Sequence, residues 1–195
     1  MHLMKATMAI RALLEAIGED PSREGLVGTP NRAAKAWGEL TEGYEMDPAK
    51  VLRTSEGTDG FEADEYDQMI VVAGIPFWST CEHHLMPFGG VADVAYIPGE
   101  AKKVVGLSKI PRLVEVYARR LQIQEQMTAQ IATALEKHLA PAGVGVRIKA
   151  RHLCAACRGV RKDVNMVTSK LTGEFREPEV RAEFWAHAEF GGRKE

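Results

Sequence analysis

Apolar residues recur at helical spacing near the start of the chain. Ile10, Leu13, Leu14 and Ile17 fall at i, i+3, i+4 and i+7, and Gly18 follows as a stop. Thr29-Pro30 reads as an N-cap with proline at the first helical position, opening a helix that carries Arg32, Ala33, Trp37 and Leu40. Residues 53–66 are polar, rich in acids and interrupted by Gly57 and Gly60, and they predict a loop. Beyond it, strands and helices alternate. Residues 69–72 and 91–97 are β-rich. Ser108 is the predicted cap of a helix whose apolar positions are Ile110, Leu113, Val114, Tyr117 and Leu121. Pro111 falls in its first turn, where a missing N–H costs little. A second series, Met127, Ile131, Leu135 and Leu139, runs to a stop at Pro141 and Gly143.

Residues 144–154 form the clearest strand pattern. Val144, Val146, Ile148, Ala150, His152 and Cys154 share one face, and Gly145, Arg147, Lys149, Arg151 and Leu153 share the other. A strand at 164–169 and a helix over 178–185 complete the series. The expected division is a helical arm over 1–52, the polar loop over 53–66 and a main body over 67–195. There is no internal repeat and no low-complexity segment.

Composition narrows the class. The 195 residues suit one domain with a helical extension, long enough to build a core. A net charge of -2 argues against a protein held to nucleic acid by bulk charge. No apolar run approaches the roughly 18 residues that span a bilayer, and the first residues lack the apolar stretch of a secretory signal. The expectation is therefore a cytoplasmic protein with neither nucleic acid nor membrane as partner. Three cysteines do not make a disulfide framework. They suit a reducing compartment, where thiols are free to bind metal.

The apolar face of the 144–154 strand ends in His152 and Cys154, two metal-competent groups where another Val would otherwise stand. Elsewhere Cys81-Glu82-His83-His84 offers three candidate ligands in four residues. The C-x-x-H spacing of Cys81 and His84 lets both reach one tetrahedral ion from a tight turn, and a thiolate–imidazole mixture favours Zn²⁺ over Mg²⁺ or Ca²⁺. Other readings stand beside this one. Cys154 and Cys157 form C-x-x-C, and with Cys81 and His84 could make a closed Cys₃His structural site with no position for water. A redox C-x-x-C pair is a third reading, without a thioredoxin-like context around it. The cysteines could also be small core residues and the histidines hydrogen-bonded polar groups.

Lys109, Arg112, Arg158, Arg161 and Lys162 cluster near the start of the Ser108 helix and just past the strand. With the free N–H groups of a helix start they would cradle a polyphosphate; singly, each reads as a solvated surface charge. Gln124 and Glu125 lie between the two helical series. A Glu there could accept N–H donors from a purine, or could simply open an exposed helix.

Together these segments resemble the GTP cyclohydrolase I family. The resemblance is carried by Ser79-Thr80-Cys81-Glu82-His83-His84, Ala95-Tyr96-Ile97-Pro98, and Gly106-Leu107-Ser108-Lys109-Ile110 with Arg112. Gln122-Ile123-Gln124-Glu125, His152-Leu153-Cys154 with Arg158-Gly159-Val160, and Gly28-Thr29-Pro30-Asn31-Arg32 add to it. The segments stand in family order over about residues 6 to 190. The resemblance implies an α+β tunnelling fold, an antiparallel sheet flanked by helices, closing with other subunits into a barrel and a homodecamer. It implies the reaction of GTP and water to 7,8-dihydroneopterin triphosphate and formate.

Matched residue by residue, Cys81, His84 and Cys154 correspond to the zinc ligands, and His83 and His152 to acid–base residues. Gln124 and Glu125 correspond to the guanine-recognising pair. Ser108, Lys109, Arg112 and Arg158 correspond to triphosphate contacts, and Arg32 to one supplied by a neighbouring subunit. The chemistry suits these types. Guanine C8 is a poor electrophile, so water must be activated and N7 protonated. A carboxylate can accept N1–H and the exocyclic amine together, a donor pair adenine lacks. Arginine forks match phosphate oxygens. Two positions depart from the family pattern: Cys157, where cysteine is unusual, and Leu121, where proline is common. The alternative from another class is a tunnelling-fold purine- or pterin-binding protein with a closed Cys₃His site and no hydrolysis.

Overall fold

The computed structural model describes residues 1–53, 60–62, 66–101 and 103–190. The chain forms two compact units, Met1–Glu42 and Gly43–Glu195. Most of the predicted 53–66 loop lies outside the described residues; within it the backbone of Gly60–Glu62 is a short strand.

The first unit is a pair of helices, α1 (Leu3–Ala16) and α2 (Thr29–Leu40). The chain turns after α1 with Gly18 at φ 87°, the left-handed conformation that glycine adopts without strain. At the start of α2 the cap is Gly28, one residue earlier than predicted. Thr29 is already helical, and its hydroxyl accepts from Arg32 Nη2 at 3.0 Å. The apolar stripe of α1 is not a core: Leu13 is 59% and Ile17 65% exposed, and α1 buries no residue. One neighbouring helix cannot cover a stripe of that width.

Early in the second unit, after a 3₁₀ turn at Glu42–Glu45, comes a helical turn, α3 (Pro48–Val51), capped by the Asp47 carboxylate on Ala49 N–H. Its strands are β1 (Gly60–Glu62), β2 (Ile70–Cys81), β3 (Pro87–Ile97), β4 (Lys103–Val105), β5 (Leu121–Gln122), β6 (Gly143–His152) and β7 (Asn165–Gly173). Its longer helices are α4 (Lys109–Ala118), α5 (Gln124–Leu139) and, after a single turn α6 (Leu153–Ala156), α7 (Pro178–Phe190). The architecture is α+β. β1 and β4 pair by themselves, and the main sheet runs β5-β2-β3-β6-β7. Its neighbours are antiparallel except for β5, which lies parallel to β2.

β2 extends well past the predicted 69–72. The pattern is masked at Gly74 and Pro76, where the register with β3 shifts between Val72 and Ile75. Gly74 takes φ 70° there, and its N–H donates to Asp93 Oδ1 at 2.8 Å. The bulge is thus tied to the neighbouring strand by a buried carboxylate.

One face of the sheet carries the main core. Val144, Val146, Ile148 and Ala150 of β6 point there as their alternation predicts, with Phe77, Phe88, Leu113, Ile131 and Leu135. Each fully buried aliphatic side chain of this kind contributes about 1.5–3 kcal/mol. The other face is covered at one end, where Ala95 and Ile97 meet Phe175 and Phe184. α4 stops at Ala118, so Leu121 belongs to β5 and not to the predicted helix. α5 ends in Ala140 at φ 48°, one residue before Pro141. No helix among the described residues is long and apolar enough to cross a membrane.

Candidate metal centre

β2 and β3 form a hairpin, and its tip carries the C-x-x-H segment. Cys81 N–H donates to Met86 O at 2.9 Å and Leu85 N–H to Cys81 O at 2.8 Å, with Leu85 at φ 54°. This single turn places His84 back over Cys81, and Sγ lies 3.9 Å from His84 Nδ1. The spacing works because one turn returns the chain to the same side.

The third candidate ligand arrives differently from its prediction. The strand does not continue to Cys154. Pairing with β3 ends at Phe88–His152 and with β7 at Arg151–Asn165, so the chain leaves the sheet and curls into α6. Cys157 N–H closes that turn on Leu153 O at 3.0 Å. The turn, not the strand, brings Cys154 Sγ to 3.9 Å from Cys81 Sγ. The ligating atoms of Cys81, His84 and Cys154 all lie within 4.8 Å of one another. Two sulfurs on one tetrahedral zinc at a bond length of about 2.3 Å stand about 3.8 Å apart. The donor set and its spacing therefore fit such an ion. Burial raises the Cys154 thiol pKa; hydrogen bonding and charge at the adjacent Cys81 add to the rise, and Arg158 opposes it. A bound cation would take the place of thiol protons here, as thiolate is the form that ligates metal. Cys157 is exposed and lies outside the three-residue group.

His152 ends the inward face of β6, as its alternation predicts. Its ring stacks on Phe88 and its Nε2 lies 2.8 Å from Gln124 Oε1. Burial lowers its pKa, and the Glu125 carboxylate works against that. His83 is exposed, its ring centroid 6.2 Å from that of His84.

The two members of the Gln-Glu pair part company. Glu125 is exposed in the first turn of α5. Gln124 is only 1% exposed, its amide turned into the sheet, where Nε2 reaches Ile148 O, Met166 O and Thr168 Oγ1. Sequence reasoning missed Phe88 against His152, and Thr128 and Thr168 behind Gln124. Thr128 had a signal: with Gln124 it continues the apolar stripe Ile131–Leu135 backwards, and polar members of a buried stripe must find partners.

Ser108 stands at the N-cap of α4, but its side chain makes no capping bond, so the predicted cap is positional only. Lys109 and Arg112 follow in the first turn of that helix, and Arg112 is exposed. Arg158 is exposed one turn after Cys154, with Nη1 donating to Cys154 O at 3.3 Å. Arg161 at φ 51° and Gly159 at φ 63° shape the basic loop that follows. Arg32 belongs to the first unit.

A group of two thiols and an exposed imidazole, beside a second, half-buried imidazole, suits a single transition-metal ion with a coordination position to spare. The profile of the family described as GTP cyclohydrolase I matches residues 6–189. The chain is 51% identical over 183 residues to GTP cyclohydrolase 1 of Campylobacter lari, covering 93% of each chain. It is 52% identical over 173 residues to GTP cyclohydrolase 1 of Mycobacterium tuberculosis strain H37Rv, covering 88% of this chain and 83% of that one. Two solved structures resemble part of it. An archaeosine synthase QueF-like protein covers 53% of this chain and 91% of that one at 17% identity and TM-score 0.36. A dihydroneopterin aldolase of Burkholderia thailendensis, bound to guanine, covers 54% and 92% at 15% identity and TM-score 0.38. The chain belongs to the GTP cyclohydrolase I family.

Proposed function

We propose that this enzyme opens the imidazole ring of GTP with water, releases formate and rearranges the remainder to 7,8-dihydroneopterin triphosphate. The observation that carries the reading is the convergence of Cys81, His84 and Cys154 within 4.8 Å, in a chain of this family. Those three side chains would hold Zn²⁺, which when bound supplies Lewis acidity where water and C8 must meet. The protein's own groups do the rest. His152 and His83 move protons: one imidazole gives a proton to N7, and both can return protons during ring opening and rearrangement. Glu125, exposed at the start of α5, accepts N1–H and the exocyclic amine. Ser108, Lys109, Arg112 and Arg158 hold the triphosphate, aided by the positive end of the α4 helix dipole. The hydroxyl of Ser108, unused as a cap, is available for a phosphate oxygen.

Arg32, in this reading, serves the triphosphate of a neighbouring subunit. The tunnelling fold, its closure into a barrel and a homodecameric assembly belong to the same proposal. Two features support association: α1 leaves its apolar stripe exposed, and β7 is an edge strand with Val167 55% exposed. The free thiols suit the cytoplasm. The test is direct. Zinc-loaded protein given GTP should release formate in step with a product that oxidises to a fluorescent pterin. Bound GTP with no formate would overturn the hydrolytic reading.

A further inference from the structure

Gln124 sits at the first position of α5 with its side chain wholly enclosed, and the polarity of its surroundings decides which way its amide faces. On one side are Ile148 O at 3.2 Å, Met166 O at 3.1 Å and Thr168 Oγ1 at 3.1 Å. Carbonyl oxygens only accept, so the NH₂ end must lie there. The reversed amide would press its oxygen against two carbonyl oxygens, which have no hydrogen to offer it.

The hydroxyls are directed by the same logic. Thr128 Oγ1 is 2.7 Å from the Gln124 carbonyl and donates to it. The 2.7 Å contact between Thr128 and Thr168 then takes its hydrogen from Thr168. Thr168, with its one hydrogen engaged, accepts from Gln124 Nε2. The bonds close a circuit from the Gln124 side chain through two threonines to its own backbone, across α5 and β7. Oε1 is left facing His152 Nε2 at 2.8 Å, and an amide oxygen can only accept. The hydrogen on that bond belongs to the imidazole.

We propose that Gln124 is a positioning residue for His152: backed by Thr168 and Thr128, it fixes the neutral ring as the Nε2–H tautomer and leaves Nδ1 as the basic nitrogen. Phe88 holds the plane of the same ring from one face. This rests on the reading above, in which His152 handles protons for GTP hydrolysis, and it removes the Gln124 side chain from base recognition. A second-layer amide that sets a histidine's tautomer decides which nitrogen meets the substrate.

Neutron diffraction from deuterium-exchanged, zinc-loaded protein at about pH 8, above the ordinary imidazole range, reads the tautomer without any variant. A deuteron on His152 Nε2, with Nδ1 bare, is the expected result; one on Nδ1 alone overturns the proposal. Kinetics provide the second arm. Gln124→Met should lower kcat for GTP by about tenfold to a hundredfold while KM stays within about twofold. A raised KM with unchanged kcat would mean that Gln124 reads the base, and would also overturn it. Thr168→Val should move kcat in the same direction, and Thr168→Ser should restore it. If wild-type protein released no formate, the function would fall, while the neutron result would still judge the tautomer.

Discussion

His152 lies flat against Phe88, with ring centroids 4.5 Å apart and planes 4° from parallel. The two residues face each other across the last paired position of β3 and β6, so the sheet itself brings the rings into register. Phe88→Leu keeps an apolar side chain but loses the stacking surface. We expect a stability loss of about 1–2 kcal/mol in urea unfolding and a several-fold fall in kcat with zinc content unchanged. Unaltered turnover would show that the stack does not hold the imidazole.

His83 and His84 are neighbours with different surroundings. Only His84 belongs to the metal group. His84→Ala should lose zinc and turnover together, whereas His83→Ala should retain zinc and lose turnover. Metal analysis of the two purified variants decides it, and equal zinc loss in both would defeat the division of labour.

Cys157 is exposed and outside the ligand group, although it completes a C-x-x-C with Cys154. Catalysis needs an open coordination position, which a fourth thiolate would fill. Cys157→Ala should therefore keep its zinc and near-normal turnover. Zinc loss in this variant would support the closed Cys₃His site.

Glu125→Gln preserves size, removes the charge and turns a donor towards guanine. GTP binding should weaken by about 1–3 kcal/mol, measured by calorimetry on protein stripped of zinc so that turnover does not interfere. Equal affinity would place base recognition elsewhere.

Asp93 is buried beneath the β2 bulge, and burial raises its carboxyl pKa against the opposing effects of Gly74 N–H and Arg147. A raised folded-state value means the native protein holds this proton to higher pH than the unfolded chain. Its contribution is fully present below the unfolded pKa and is lost as pH rises through the folded one. Asp93→Asn keeps the acceptor for Gly74 and cannot ionise. Relative to wild type, the variant should gain stability between about pH 4 and pH 8, read from urea midpoints at the two values. A constant difference would show that Asp93 ionises alike in both states.

Much of this was legible in the chain. The inward row Val144 to His152 follows from two-residue alternation, the α5 stripe from helical spacing, and the Cys81–His84 pair from the reach of one turn. What escaped has local causes. Gly74 and Pro76 hide the second half of β2, because a bulge breaks the alternation that identifies strands. Cys154 sits on the predicted face by number but reaches the site through a helical turn, since both neighbouring strands stop pairing before it. The apolar stripe of α1 signals a covered face, yet no residue of that helix is buried. In the circuit through Gln124, Thr128 and Thr168 only the Thr128–Gln124 link is local; the links to Thr168 span 44 and 40 positions, and no local pattern encodes those.

The 3.9 Å between Cys81 and Cys154 sulfurs also bears on how the protein ages. Two thiols this close need lose only two protons and two electrons to become a disulfide, and the joined sulfurs are no longer a pair of thiolate donors. A cation sharing both sulfurs draws off the electron density an oxidant would attack. An ion held there for the chemistry would thus also act as a guard. In an oxidising medium the enzyme's working lifetime should follow how tightly it keeps its metal more closely than how firmly it stays folded.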